Sequence, residues 1–204
     1  MLQHTDTYKT IDLPTEEVLF KEKHSKFFGY VFPIRTEEEV KPILDAIKKQ
    51  HHSARHWCYA WQLGVENQIQ YRANDDGEPN NSAGMPIYGQ IQSFEITNVL
   101  VIVVRYFGGI KLGVGGLISA YKNTAQMALE QADIVEKTLN VTFEIKCDYK
   151  DLNKVMRILK EHQLPILSQQ MEMDCTLRTE IRKSDAEQFE NHLNQLYEIT
   201  FKKL

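Results

Sequence analysis

The sequence predicts an α+β chain in two parts, and three observations carry that prediction. An unbroken apolar, β-branched run, Val99-Leu100-Val101-Ile102-Val103-Val104, is long enough for a strand buried on both faces. It opens through Arg105-Tyr106-Phe107 into a glycine-rich stretch and then into apolar residues at helical spacing. After Asp133 the pattern changes, and Val141, Phe143, Ile145 and Cys147 alternate with Thr142, Glu144 and Lys146 as in a sheet wet on one side. A chain of 204 residues suits one large domain or two small ones. The change of pattern sets a boundary near 136–140 and divides the chain into domains 1–137 and 138–204.

The elements follow in order. Residues 1–14 are polar, end at Pro14 and read as a loosely held arm. Val18 and Phe20 alternate in a short strand, and Lys23-His24-Ser25 turns into a second strand with Phe28, Tyr30, Phe32 and Ile34 on one face. Thr36-x-x-Glu39 is a capping box ahead of a helix carrying Val40, Ile43, Leu44 and Ile47. Pro42 requires that helix to start late or to bend. From Ala54 to Leu63 a strand sets Trp57, Tyr59, Trp61 and Leu63 on a core face and His56, Cys58 and Ala60 on the other. Tyr71 to Gly84 is a long polar loop, and Pro86 suits the first turn of a short helix with Ile87, Ile91 and Phe94. The long helix after the glycines turns Val114, Leu117, Ile118, Tyr121, Ala125, Ala128, Leu129 and Ala132 inward.

In the second part, Leu152, Val155, Met156 and Leu159 form a helical stripe, followed by strands at about 165–173 and 174–182. Ser184-x-x-Glu187 caps a helix with Phe189, Leu193, Leu196 and Tyr197 inward, and Ile199 and Phe201 close with a strand. The order βαββαβ is the ferredoxin-like arrangement, with two helices on one face of an antiparallel sheet.

Composition bounds the function. Apolar residues make up 42% of the chain, enough for ordinary cores, and the net charge of −4 excludes bulk attraction to nucleic acid. Polyanion binding would require a local patch. The three cysteines, Cys58, Cys147 and Cys175, form no C-x-x-C and read as reduced thiols in a cytoplasmic protein. No signal peptide or membrane-spanning run is read, and neither a cofactor nor a metal is implied.

The candidate site is the loop Gly108, Gly109, Gly113, Gly115 and Gly116. A helix start leaves unpaired N–H groups and a partial positive charge, and glycines let a ligand approach the backbone. Arg105 and Lys111 add full charges, and Lys122 lies beside Ser119 on the helix. A Walker loop is excluded because Leu112 follows Lys111, and the dinucleotide fingerprint fails because Ile118 stands where its third glycine belongs. The competing reading is that these glycines only allow tight turning and close packing. His56 beside Cys58 invites a Cys–His nucleophile, against the plainer reading of a buried thiol next to a hydrogen-bonded imidazole. His51, His52 and His56 find no matching cluster for a metal. Asp75, Asp76 and Glu78 lack the alternation of a Ca²⁺ loop and fit either a surface turn or a functional loop.

Ser25-Lys26-Phe27, Ala54-Arg55-His56-Trp57-Cys58-Tyr59-Ala60, Asp75-Asp76-Gly77-Glu78-Pro79, Ala83-Gly84-Met85-Pro86-Ile87 and Val104-Arg105-Tyr106-Phe107-Gly108-Gly109-Ile110-Lys111-Leu112-Gly113 together resemble the IMPACT family, in particular its bacterial YigZ-type members. Ser119 stands where members commonly carry Arg, and Tyr88 where an aliphatic residue is usual. The resemblance implies two two-layer α/β sandwich domains, the first like domain IV of elongation factor G with its ribosomal-protein-type crossover, the second like its domain V. It also implies a link to translation, since eukaryotic relatives act in translational control through the activator of a stress-responsive kinase of an initiation factor.

The expected function is therefore a non-enzymatic binding or regulatory protein, engaging RNA, the ribosome or a protein partner through residues 108–116. The alternative is an enzyme acting on a phosphorylated small molecule or nucleotide. Its cleft would join that loop to residues 75–79 and His56, with no catalytic residue assigned.

Overall fold

The structure, a computed structural model, describes residues 6–204. Two compact units emerge, Tyr8–Lys137 and a second built from Thr138–Leu204. Asp6 and Thr7 go with the second. Residues 1–5 of the expected arm lie outside the described residues. The rest of it is not loose: Thr7–Ile11 forms β1, which pairs with β7 (Ile134–Thr138) in a two-stranded ribbon, and Ile11 is buried.

In the first unit a five-stranded antiparallel sheet runs in the order β2 (Val18–Glu22), β3 (Ser25–Pro33), β6 (Val99–Tyr106), β4 (His56–Leu63), β5 (Gln70–Asn74). The apolar run sits at its centre, and Val99 to Val104 are all fully buried. Val99, Val101 and Val103 enter a core with α2 (Gly84–Ser93) and α3 (Gly113–Glu130). Leu100, Ile102 and Val104 face the other way, toward Val40 and Ile47 of α1 (Val40–Gln50). Each such side chain contributes roughly 1.5–3 kcal/mol by leaving water. The α+β class holds, with α1 covering the second face of the sheet.

That second cover changes the reading of β4. Trp57, Tyr59, Trp61 and Leu63 meet the α1 core, and Cys58 and Ala60 are equally buried on the α2/α3 side. The capping box at Thr36 and Glu39 forms, a 3-10 turn spans Glu37–Glu39, and α1 starts only at Val40. Pro42 thus lies in the first turn, where a missing N–H costs no helical bond. β5 occupies the start of the expected loop; Gln70, Tyr71 and Arg72 are exposed along this edge strand, so no alternation marked it.

The second unit comprises β8 (Asn140–Cys147), α4 (Leu152–Glu161), β9 (Ile166–Met171), β10 (Cys175–Arg182), α5 (Ala186–Asn194) and β11 (Ile199–Lys203), with sheet order β11-β8-β10-β9. This is the ferredoxin-like topology. Phe143, Ile145, Leu177, Val155, Leu159, Phe189 and Leu193 form its core. On the sheet, Glu144 is tied by Arg178 at 2.7 Å and Lys202 at 3.1 Å, and those cations hold its carboxyl below the usual range. Ser184 is not the cap expected for α5. Its amide donates to Asp6 Oδ2 at 3.2 Å, a 3-10 turn spans Lys183–Asp185, and the helix begins at Ala186. Cys147 and Cys175, distant in sequence, stand directly opposite each other across β8 and β10 as free thiols. No helix among the described residues is long and apolar enough to cross a membrane.

Candidate functional site

Strand parity decides where Arg105 goes. It shares the face of Val103, so it enters the α2/α3 side and is 5% exposed. Its Nη1 donates to Glu78 Oε1 at 2.6 Å, and the Tyr121 hydroxyl on α3 donates to the same oxygen at 2.8 Å. His56 Nε2 lies 4.0 Å from that oxygen. The guanidinium stands 5.6 Å from the ring centre of Phe27 and 5.5 Å from that of Phe107, and its Nε has no partner. Burying this pair is tolerable because each charge meets the other; removing one strands its partner.

The acidic loop is bound into the scaffold at every carboxylate. Asp75 Oδ1 accepts the amides of Ala83 and Gly84 at 2.9 and 2.8 Å, holding the exposed amides at the start of α2, and Oδ2 accepts that of Asn81 at 2.8 Å. Asp76 Oδ2 accepts the Trp57 amide at 2.7 Å. The Asp76 carbonyl lies 2.9 Å from His56 Nδ1, which must be the protonated nitrogen because a carbonyl only accepts. Neutral His56 therefore presents an unprotonated Nε2 toward Glu78.

Cys58 lies 3.0 Å from the Asp75 carbonyl and 3.3 Å from the Tyr121 hydroxyl. Burial pushes its thiol far above the ordinary range, against a smaller lowering by Tyr121. At neutral pH it is a protonated thiol and no nucleophile. The same burial raises Tyr121, a residue assigned from sequence only to a core stripe. A buried tyrosine must find a partner for its hydroxyl, and that requirement was the available signal for its role as the hub of this cluster.

The glycines divide by function. A Cβ on Gly108 would lie 2.0 Å from the carbonyl carbon of His24, and the Gly108 amide donates to Ser25 Oγ at 3.2 Å. This glycine exists for close approach to the β2–β3 turn. Gly109 (φ 84°) and Gly113 (φ 73°) are left-handed, and a Cβ on Gly109, Gly113 or Gly115 would meet nothing within 4 Å. On Gly116 it would lie 3.1 Å from Leu112 Cβ. α3 begins at Gly113 with no side-chain cap and no acidic residue in its first turn.

Val114 and Ile118, expected in the core, are 53% and 39% exposed, because burial along α3 starts only at Leu117. Periodicity gives a residue's angle around a helix, not how far along its axis the cover extends. Lys111, Ser119 and Lys122 are exposed. Lys122 lies about 13 Å along α3 from Gly113, outside the reach of a ligand held on the loop backbone. His56, Glu78 and Arg105 thus converge, Asp75 and Asp76 support them, and Lys122 stands apart.

His51 belongs to a separate buried chain of hydrogen bonds. Its Nδ1 meets the Tyr106 hydroxyl at 3.0 Å, its Nε2 meets Tyr30, and Tyr30 meets Glu17. Burial lowers the His51 pKa, opposed by Glu17. No group of three or more His, Cys, Asp or Glu among the described residues is placed to hold a metal ion.

Residues 23–129 match the Impact N-terminal domain, and residues 145–197 match a domain of unknown function, DUF1949. The chain is 34% identical over 186 residues to an IMPACT family member of Haemophilus influenzae, covering 90% of each chain. It is 30% identical over 168 residues to the IMPACT family member YigZ of Escherichia coli, covering 82% of each. A crystal structure described as that of a hypothetical protein shares the fold at a TM-score of 0.71 and 27% identity, over 98% of this chain and 97% of that one. The chain belongs to the IMPACT family.

Proposed function

We propose that this IMPACT-family protein is a non-enzymatic binding or regulatory protein acting beside translation, and that it engages RNA or the ribosome through residues 108–116. The observation that supports this is the open backbone of the loop. Gly109, Gly113 and Gly115 face free space, the amides opening α3 have no side-chain cap, and exposed Lys111 lies between them. Backbone N–H groups and a lysine hold phosphate oxygens without reading sequence, and such contacts weaken as salt displaces them. With a net charge of −4, attraction rests on this local geometry rather than on the whole chain.

Fluorescence anisotropy of a labelled RNA, with ribosome co-sedimentation beside it, tests the reading. Wild type binds at low salt and releases at high salt, and Lys111→Glu binds more weakly. Absence of wild-type association with either, even at low salt, defeats it.

A second reading has one observation in its favour: His56, Glu78 and Arg105 meet at one buried oxygen beside the loop. In an enzyme the loop would seat a phosphorylated substrate while His56 moved a proton. A thermal-shift screen with nucleotides and phosphorylated metabolites separates the two readings, because clear stabilisation by one of them favours the enzyme.

A further inference from the structure

Cross-strand register assembles a row of side chains that are far apart in sequence. At one end of the five-stranded sheet Lys21 of β2 stands opposite Lys26 of β3, and Lys26 stands opposite Tyr106 of β6. The pairing of His56 with Arg105 carries the row one strand further and sets Arg55 opposite Tyr106; the Arg55 amide donates to the Arg105 carbonyl at 3.3 Å. Residues directly opposite in antiparallel strands project from one face, so Lys21, Lys26, Tyr106 and Arg55 line up across four strands. Lys21, Lys26 and Arg55 are exposed, and none of the three makes an ion pair among the described residues. Glu22, the neighbouring acid on β2, belongs to the next row and projects from the other face.

This row is costly to the fold. Like charges directly opposite repel, and Lys21 and Lys26 are so placed. The turn between their strands holds Lys23 at φ 42° and His24 at φ 66°, left-handed conformations without a glycine. Tyr106 is anchored within the row by His51 at 3.0 Å and by an edge contact with Phe28 at 5.6 Å between ring centres. The next residue, Phe107, is 50% exposed, and Gly108 seats on the His24–Ser25 turn. Row, aromatic ring and glycine loop are therefore successive parts of one surface.

We infer that the Lys21–Lys26–Tyr106–Arg55 row is a phosphate track for single-stranded RNA, leading to the glycine loop with Phe107 as the ring on which a base stacks. The inference rests on the proposal that the loop engages RNA, and it names the form of RNA. Strands about 4.8 Å apart make the row about 14 Å long, the span of a few nucleotides. An exposed ring stacks only on a base freed from pairing, which a duplex does not offer.

The test is anisotropy at low salt with labelled oligouridylate and, separately, a labelled RNA duplex, using wild type, the Lys21→Gln/Lys26→Gln double variant, Arg55→Gln, Phe107→Ala and Lys111→Glu. Thermal melts confirm that each is folded, and the double glutamine variant relieves a repulsion rather than creating one. Wild type should prefer oligouridylate. The double variant and Arg55→Gln should each weaken it, the former with a shallower salt dependence by about 1.4 in the log–log slope for two lost contacts. Phe107→Ala should weaken oligouridylate about tenfold and leave duplex binding unchanged. If Lys111→Glu abolishes binding while the row variants bind like wild type, or if the duplex binds more tightly, the track is overturned and the loop reading survives. If wild type binds neither RNA, the loop reading falls and takes the track with it.

Discussion

Two polar stretches flank the same helix pair, and they differ in what they do with their hydrogen-bonding groups. Residues 75–78 consume theirs: Asp75 holds the start of α2, Asp76 holds the Trp57 amide, and Glu78 holds Arg105 and Tyr121. Residues 109–116 leave theirs outward at the uncapped start of α3. An acidic motif with every carboxylate engaged is a brace, and a glycine motif facing open space is a surface for something else. The comparison teaches that polarity in sequence marks both kinds of loop, and that satisfaction of the groups separates them.

Substitutions can break this contrast. The largest effect is expected for Glu78→Ala, which strands the buried Arg105 guanidinium and should cost about 3–5 kcal/mol of folding stability in urea denaturation. A value near zero would mean that the brace is not one. Gly108→Ala comes next, because its Cβ would meet backbone at 2.0 Å and the turn must move. About 1–3 kcal/mol should be lost, read as a lowered melting temperature. Gly115→Ala goes the other way. It lies inside α3 with free space around it, so it should gain about 0.5–1 kcal/mol in the same melts, and a loss there would show that the open face is closed. Smallest is Lys111→Glu, within about 0.5 kcal/mol of wild type in stability, while its RNA affinity falls. A stability loss as large as that of Glu78→Ala would place Lys111 in the brace.

Much of the fold was legible because it rests on local pattern. The run 99–104 announced a central strand, the βαββαβ order announced the second unit, and Thr36 with Glu39 announced the start of α1. β5 was not legible, since an exposed edge strand rich in polar residues has no buried face to impose alternation. Nor was the exposure of Val114 and Ile118, which depends on where the covered length of α3 begins. The candidate site was half legible. The glycines and Lys111 stood out, whereas the partner of Arg105 and the part played by Tyr121 required two distant segments to meet.

By itself, the sequence determined which segments become strands and helices and which loop is rich in glycine, because periodicity, capping and the steric freedom of glycine act over a few neighbouring residues. Only the tertiary structure decided that Arg105 is neutralised while Lys111 is free, and that Lys21, Lys26, Tyr106 and Arg55 fall in one row. Those outcomes depend on strand register and on which segment covers which face, and register is set by the packing of the whole sheet rather than by any stretch of it.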